Sequence, residues 1–294
     1  MLPQELQQVF EYIERTSPWT DDTKHEIVLQ QANIAISDML SSPDLCEGHA
    51  GKGFDYITHA RELYRLAGQS GSGKTTQLLP AILRYEKMRG RKPITIAVRN
   101  FPKYHPEFEQ ITKELSSSQV RERTNGFSLK CVCVALKLML ESGYLVILDV
   151  TVLDPVFEEF LYHQIRKHNY QTHYHILAVN KQQSNEFIRK RFQSTTGEEA
   201  GRAVATQTSD YFYQILSKGL DYLSRVDKSG KATVWTAYDK SPIYTGNMQG
   251  VPKALSKGRS LQKPLVFTEH ELREAKLAYL ASTTTLLIKG ASTP

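Results

Sequence analysis

The sequence predicts an α/β fold, a mostly parallel β-sheet with helices on both faces, preceded by a helical N-terminal segment. Three observations predict it. Short runs rich in β-branched and apolar residues alternate with longer stretches of helical periodicity, the pattern of strands joined by crossover helices. A glycine-rich turn falls between the first such run, "LYRLA", and a helix-compatible stretch, "TTQLLPAILRYEKM". The composition, 40% hydrophobic and 23% charged over 294 residues, suits a chain that buries one large core.

Along the chain, residues 1–60 read as the helical N-terminal segment, 61–250 as the core, and 251–294 as a basic loop followed by a C-terminal helix. "PQELQQVFEYIERT" carries Leu6, Val9, Phe10 and Ile13 at helical spacing until "SPW" interrupts it. "DDTKHEIVLQQANIAISDML" places Ile27, Ile34, Ile36 and Leu40 broadly along one side. "SSPDLCEGHAGKG" is a loop by its Ser, Pro and Gly content. Strands are expected at 64–67, 93–98, 144–149, 174–179 and 232–238, and helices at 74–89, 126–142, 155–168, 183–193 and 204–223. Residues 252–264 read as the basic loop, and Thr268 with Glu271 forms a capping box opening the last helix.

Several classes are set aside by composition. The formal charge of +6 is spread over separate clusters, Arg89/Arg91/Lys92, Arg189/Lys190/Arg191 and Lys253/Lys257/Arg259/Lys263, which read as solvated or phosphate-facing side chains rather than a nucleic-acid surface. Cys46, Cys131 and Cys133 have neither an even count nor CxxC spacing, so a disulfide framework and a zinc site are not expected; Cys131 and Cys133 fall in "CVCVALKLML" and read as buried thiols. "MLPQELQQVFEY" is not a secretory signal and no apolar run approaches bilayer length, so the expectation is a cytoplasmic protein without membrane contact, with export as an effector left open.

The segment Gly68-Gln69-Ser70-Gly71-Ser72-Gly73-Lys74-Thr75, followed by Thr76, satisfies G-x-x-x-x-G-K-[ST] in full. Glycines let successive backbone N–H groups point at phosphates, and the helix that follows adds its positive end. Lys74 supplies a charge to the β/γ-oxygens and the Thr75 hydroxyl a Mg²⁺ ligand. The expected cofactors are therefore ATP and Mg²⁺. "YLVILD" ends in Asp149, with Thr151 just beyond; the carboxylate either faces the phosphates as a second metal-binding group or caps the helix beginning near Pro155. "FIRKRFQSTTGEEAGRAVATQ" sets Arg189, Arg191 and Arg202 around a Ser/Thr/Gly-containing linker, as in a lid that closes on phosphoryl oxygens; a solvated basic helix face is the plainer reading of the first of these.

Taken in order, the glycine loop, "VRNFPKYHPEF", "GYLVILDVT", "AVNKQQSNEFIRKRF" and "GRAVATQ" resemble the zeta-toxin family of bacterial P-loop kinases over roughly residues 64–245. The resemblance implies a P-loop kinase-like fold and ATP-dependent phosphorylation of a nucleotide-linked sugar, usually the 3′-hydroxyl of UDP-N-acetylglucosamine. It also implies a small helical antitoxin as partner. By it, Lys74 and Thr75 match the phosphate and magnesium groups, Arg191 the helix arginine, and Arg202 the lid arginine that precedes a glutamine, here Gln207. Asp149 and Thr151 match the acceptor rim, so that Lys74, Asp149, Arg191 and Arg202 are the expected catalytic set. Arg99, Asn100, His105 and Thr151 are then expected to face the acceptor.

Two family acids are missing. The general-base Asp, six residues before the His of the His-Pro pair, falls on Arg99, and "AVRNF" contains no acid; the Glu of the preceding helix falls on Cys133. Either Asp149 takes over as base, or the acceptor differs, or the chain binds ATP as a regulatory module without efficient transfer. A polynucleotide 5′-kinase is a further alternative, disfavoured because aromatics do not cluster with the basic residues. Residues 1–60 would be either an internal inhibitor of the nucleotide site or a layer that completes the fold.

Overall fold

The sheet is built from β1 (Glu62–Ala67), β2 (Ile94–Ala97), β3 (Val146–Asp149), β4 (Gln171–Leu177), β5 (Lys231–Trp235) and β6 (Tyr244–Asn247), in the order β2-β3-β1-β4-β5-β6. The first five strands pair in parallel and β6 pairs antiparallel with β5. A computed structural model describes residues 2–16, 22–41, 57–151, 155–193, 206–261 and 266–290 of the chain. All four residues of β2 and of β3 are buried, as expected of strands covered on both faces. Alternate side chains serve two cores. Leu63, Ile94, Ile96, Val146 and Leu148 face one side, while Tyr64, Leu66, Ile147, Leu177 and Trp235 face the other.

The second face is covered by α3 (Leu79–Met88) and α10 (Glu269–Gly290), through Leu79, Ile82, Leu277 and Leu280. The first is covered by α5 (Ser117–Glu141), α6 (Pro155–Lys167), α8 (Thr206–Val226) and α9 (Val251–Ser260). Outside that layer lie α1 (Gln4–Thr16) and α2 (His25–Ser41), whose apolar stripes merge into the same core. The α1 stripe is the expected one, Leu6, Val9, Phe10 and Ile13. In α2 the buried side is instead Val28, Ala32, Ala35, Ile36 and Met39, and Ile34 and Leu40 are exposed. The two alanines allow close approach to α5, and that decides the helix rotation where large apolar residues lie on several sides. Polar contacts fix the layer: Lys130 of α5, fully buried, donates to Glu14 at 2.7 Å, Gln164 donates to Glu5 at 3.0 Å, and the Tyr104 hydroxyl to Asp38 at 2.8 Å.

Elsewhere the structure extends or corrects the expected elements. α5 starts nine residues before the expected position 126, because Ser116 and Gln119 form a capping box ahead of two largely polar turns. Residues expected to be a basic loop are largely α9, whose buried Val251, Ala254, Leu255 and Gly258 lie opposite the exposed Lys253 and Lys257; Pro252 stands in its first turn, where proline is tolerated. The Thr268–Glu271 capping box is present, with backbone-to-side-chain bonds of 2.8 and 3.2 Å. Among the described residues no helix is long and apolar enough to cross a membrane.

Candidate nucleotide and acceptor site

The C-terminal edge of the sheet gathers the expected groups because the parallel register brings three strand ends together. Asp149 lies beside Leu66 of β1 on one side and Ala97 of β2 on the other. Gly68 therefore leaves β1 next to Asp149, at the point where successive connections diverge to opposite sides of β1, the usual place for a ligand in an open α/β sheet.

The loop from Gly68 to Lys74 owes its path to its glycines. Gly71 and Gly73 have φ of +71° and +94°, values that side chains rarely adopt. At Gly71 a Cβ would also lie 2.5 Å from the Ser184 carbonyl oxygen of α7 (Lys181–Gln193). α7 is thus seated directly on the loop, and the Ser184 hydroxyl bonds the Ser70 carbonyl. Lys74 opens a π turn, Lys74–Leu78, ahead of α3, and its ammonium folds back onto the Gly68 carbonyl and, at 3.2 Å, that of Gln69. The Ser72 hydroxyl is buried without a hydrogen-bond partner among the described residues, a polar group that a phosphate oxygen can satisfy. Thr75 is half-buried and Thr76 exposed. The Gln69 side chain turns away from the loop mouth, donating to the Val179 carbonyl at 2.6 Å.

Asp149 is not a free carboxylate. Arg99 donates to its Oδ2 at 2.6 Å, and the Asp149 side chain is only 2% exposed against 22% for Arg99. The sequence assigned these residues separate roles; the structure places them in one ion pair across the rim. The Thr151 hydroxyl reaches the Gly68 carbonyl at 3.3 Å, linking the β3 end to the glycine loop. Beneath them, a feature invisible to motif reading, Arg65 and Glu158 pair at 2.8 Å with both side chains fully buried, and Arg65 also bonds the Val150 carbonyl. Asn100 ends a 3₁₀ turn, Val98–Asn100, with its buried Oδ1 unpartnered among the described residues. His105 is buried: its Nδ1 accepts from the Glu107 N–H at 3.1 Å, its Nε2 meets the Thr23 hydroxyl at 3.4 Å, and the ring lies edge-on to Phe127. With Nδ1 accepting, the neutral ring carries its proton on Nε2. Cys133 lies in the fully buried interior of α5, where burial pushes the thiol well above its ordinary pKa. Arg191 belongs to α7 by its backbone, while its side chain and the whole of Arg202 lie outside the described residues.

A glycine phosphate loop at the end of the central strand, a lysine on the turn that follows and an aspartate on the neighbouring strand define a nucleotide-dependent phosphotransferase of the P-loop kind. The zeta-toxin family model matches residues 58–249, and the chain belongs to the zeta-toxin family, whose members are kinases. Among solved structures, one from a study of the PezAT chromosomal toxin–antitoxin system of Streptococcus pneumoniae is similar at 19% identity with a TM-score of 0.60, over 89% of this chain and 98% of the other. A native complex of AvrRxo1-ORF1 with AvrRxo1-ORF2 follows at 12% identity and a TM-score of 0.48, over 96% of this chain and 94% of the other. The same complex with ATP is similar at 15% identity and a TM-score of 0.48, over 88% and 87%. No curated protein sequence matches the chain.

Proposed function

We propose that this kinase transfers the γ-phosphate of ATP to a hydroxyl of a small nucleotide-linked metabolite, UDP-N-acetylglucosamine or a relative of it. The observation that carries the reading is the meeting of the glycine loop, Asp149 and the 98–100 turn at one edge of the sheet. The loop amides, Lys74 and the unpartnered Ser72 hydroxyl suit a triphosphate. Thr75 and Asp149 supply a hydroxyl and a carboxylate suited to Mg²⁺, which when bound would neutralise charge between the β- and γ-oxygens. Arg191 and Arg202, on and beyond the helix seated on the loop, would close over the transferring group. Arg99, Asn100, His105 and Thr151 would shape the acceptor side, His105 by holding the 102–107 turn. Asp149 stays paired with Arg99, and phosphoryl transfer through a loose transition state asks little of a general base.

Within residues 1–60, α1 and α2 act as a layer completing the fold, a reading supported by their burial against α5 and by the Lys130–Glu14 pair. Arg259 turns inward from α9 to Ser217 and Tyr213, which takes one cation away from the surface of the basic segment. A small helical antitoxin and a cytoplasmic site of action remain part of the proposal. The Arg99–Asp149 pair specifically favours a second reading, an ATP-binding module without transfer.

The test is mass spectrometry of a cell metabolite extract incubated with the protein and ATP, with Lys74→Ala in parallel. One metabolite gaining a phosphate in the wild type alone is the expected result. Tight ATP binding by calorimetry with no phosphorylated product supports the second reading, and equal product with Lys74→Ala refutes the kinase assignment.

A further inference from the structure

Two cations, one on α9 and one on α10, reach the glycine loop and the π turn that follows it through Gln69 and Gln77. The matched family region ends at residue 249, and both cations lie beyond it. On one flank Arg259 of α9 points its guanidinium at the Gln69 amide oxygen, 3.4 Å away, while bonding the Ser217 hydroxyl at 2.6 Å and the Tyr213 carbonyl at 2.9 Å. On the other flank Lys276 of α10 is fully buried and donates to the Gln77 amide oxygen at 3.1 Å, with its ammonium 5.3 Å from the centre of the Trp235 ring.

Burying an ammonium is expensive unless it is paired, and a leucine would fill this space without that cost. Among the described residues no carboxylate lies within ion-pair distance of Lys276; burial pulls its pKa down to about 8, with Asp239 opposing the shift. The position therefore selects a donor. Because an ammonium only donates, Gln77 must turn its oxygen towards Lys276 and its NH₂ towards the Ala237 carbonyl, which lies at 3.3 Å. The amide so oriented lies flat against the loop, its nitrogen 3.1 Å from where a Cβ on Gly73 would stand. The same Gly73 starts the π turn, its carbonyl accepting from the Gln77 and Leu78 N–H groups at 3.0 and 3.4 Å. That turn presents Lys74 and Thr75, and a single π turn has few internal contacts to hold it.

We infer that α9 and α10 supply structural parts of the nucleotide site, and that Lys276 is a positioning residue holding the π turn after the phosphate loop through Gln77. Arg259 does the same for Gln69 on the opposite flank. The ammonium also places positive charge behind the helix N-terminus that the phosphates meet.

This inference rests on the phosphate-loop reading of Gly68–Thr75, and the experiment separates the two. Full-length wild type, Lys276→Met and Gln77→Met, and the double variant, are compared by ATP calorimetry, thermal melting and hydrogen exchange of residues 73–79 without ligand. The expected result is a melting temperature for Lys276→Met at or above wild type, because a buried charge is gone. ATP affinity falls about tenfold and exchange at 73–79 accelerates. The double variant is no weaker than either single one, since both break one contact. Unchanged exchange and ATP affinity within twofold of wild type in Lys276→Met overturns the inference. A wild type that binds no ATP refutes the nucleotide reading instead, and the exchange measurement then decides by itself whether Lys276 holds the turn.

Discussion

Replacing Arg99 by glutamine isolates what the rim ion pair does. Asp149 is 2% exposed and Arg99 22% exposed, so the variant leaves a nearly dry carboxylate without its guanidinium. Removing one partner of a fully buried pair costs about 3–5 kcal/mol, while exposed pairs are worth about 0–1 kcal/mol. With one partner reached by water, the expected loss lies between them, about 2 kcal/mol. Unfolding entropy of roughly 2.1 cal/mol/K per residue makes this a fall of about 3 °C in melting temperature for a chain of this length. If Asp149 also serves the nucleotide complex, ATP with magnesium supplies a replacement positive charge, and the deficit shrinks to about 1 °C or less. The assay is calorimetric melting of both proteins with and without ATP and magnesium. A deficit that persists unchanged with ligand refutes the shared role of Asp149, and no deficit in the free protein refutes the pair itself.

Three other outcomes follow from the same structure. Gly71→Ala forces a Cβ to within 2.5 Å of the Ser184 carbonyl at a φ of +71°, so ATP affinity measured by calorimetry should fall at least about tenfold; because the obstacle is backbone, Ser184→Gly should not restore it. His175, fully buried on β4, is held near pKa 3 by burial, so the unfolded chain takes up its proton first as pH falls below about 6.5; denaturant melts should show about 2 kcal/mol lost by pH 5 that His175→Gln does not lose. Glu158→Gln leaves the fully buried Arg65 without its carboxylate and should lower stability by about 3–5 kcal/mol, read as an earlier urea midpoint with unchanged slope.

What the sequence made legible is what local chemistry determines. Buried parallel strands are apolar along their whole length, so "PITIAV" and "YLVILD" announce themselves, and the glycine loop carries its geometry in its residue types. The β6 strand escaped because its Tyr-Thr-Gly-Asn is polar and largely exposed at the sheet edge. The α9 helix escaped because Pro252 and Gly258 read as loop residues, although the glycine is there to let the helix touch Ala178, where a Cβ would come within 2.5 Å. In α2 the count of large apolar residues pointed to a side that Ala32 and Ala35 overrule. The partners Arg99 with Asp149, Arg65 with Glu158 and Lys276 with Gln77 are separated by 50, 93 and 199 positions, and no local pattern joins them.

These long-range pairs also balance charge at the rim of the sheet. An isolated Asp149 at the sheet edge would be a buried charge with nothing to balance it. Arg99 supplies that balance from the neighbouring strand end. Cys133 sits in the apolar interior of α5, one side of which packs against α1 and α2. The helical layer and the rim are parts of one arrangement. α2 contributes Asp38 to Tyr104, and Thr23 just before it meets His105, so the turn beyond Arg99 is anchored by the N-terminal segment. A change in that segment should be felt first at Arg99 and Asn100, while the phosphate loop stays held by α7 and α9 through Ser184 and Arg259, and the π turn after it by α10 through Lys276.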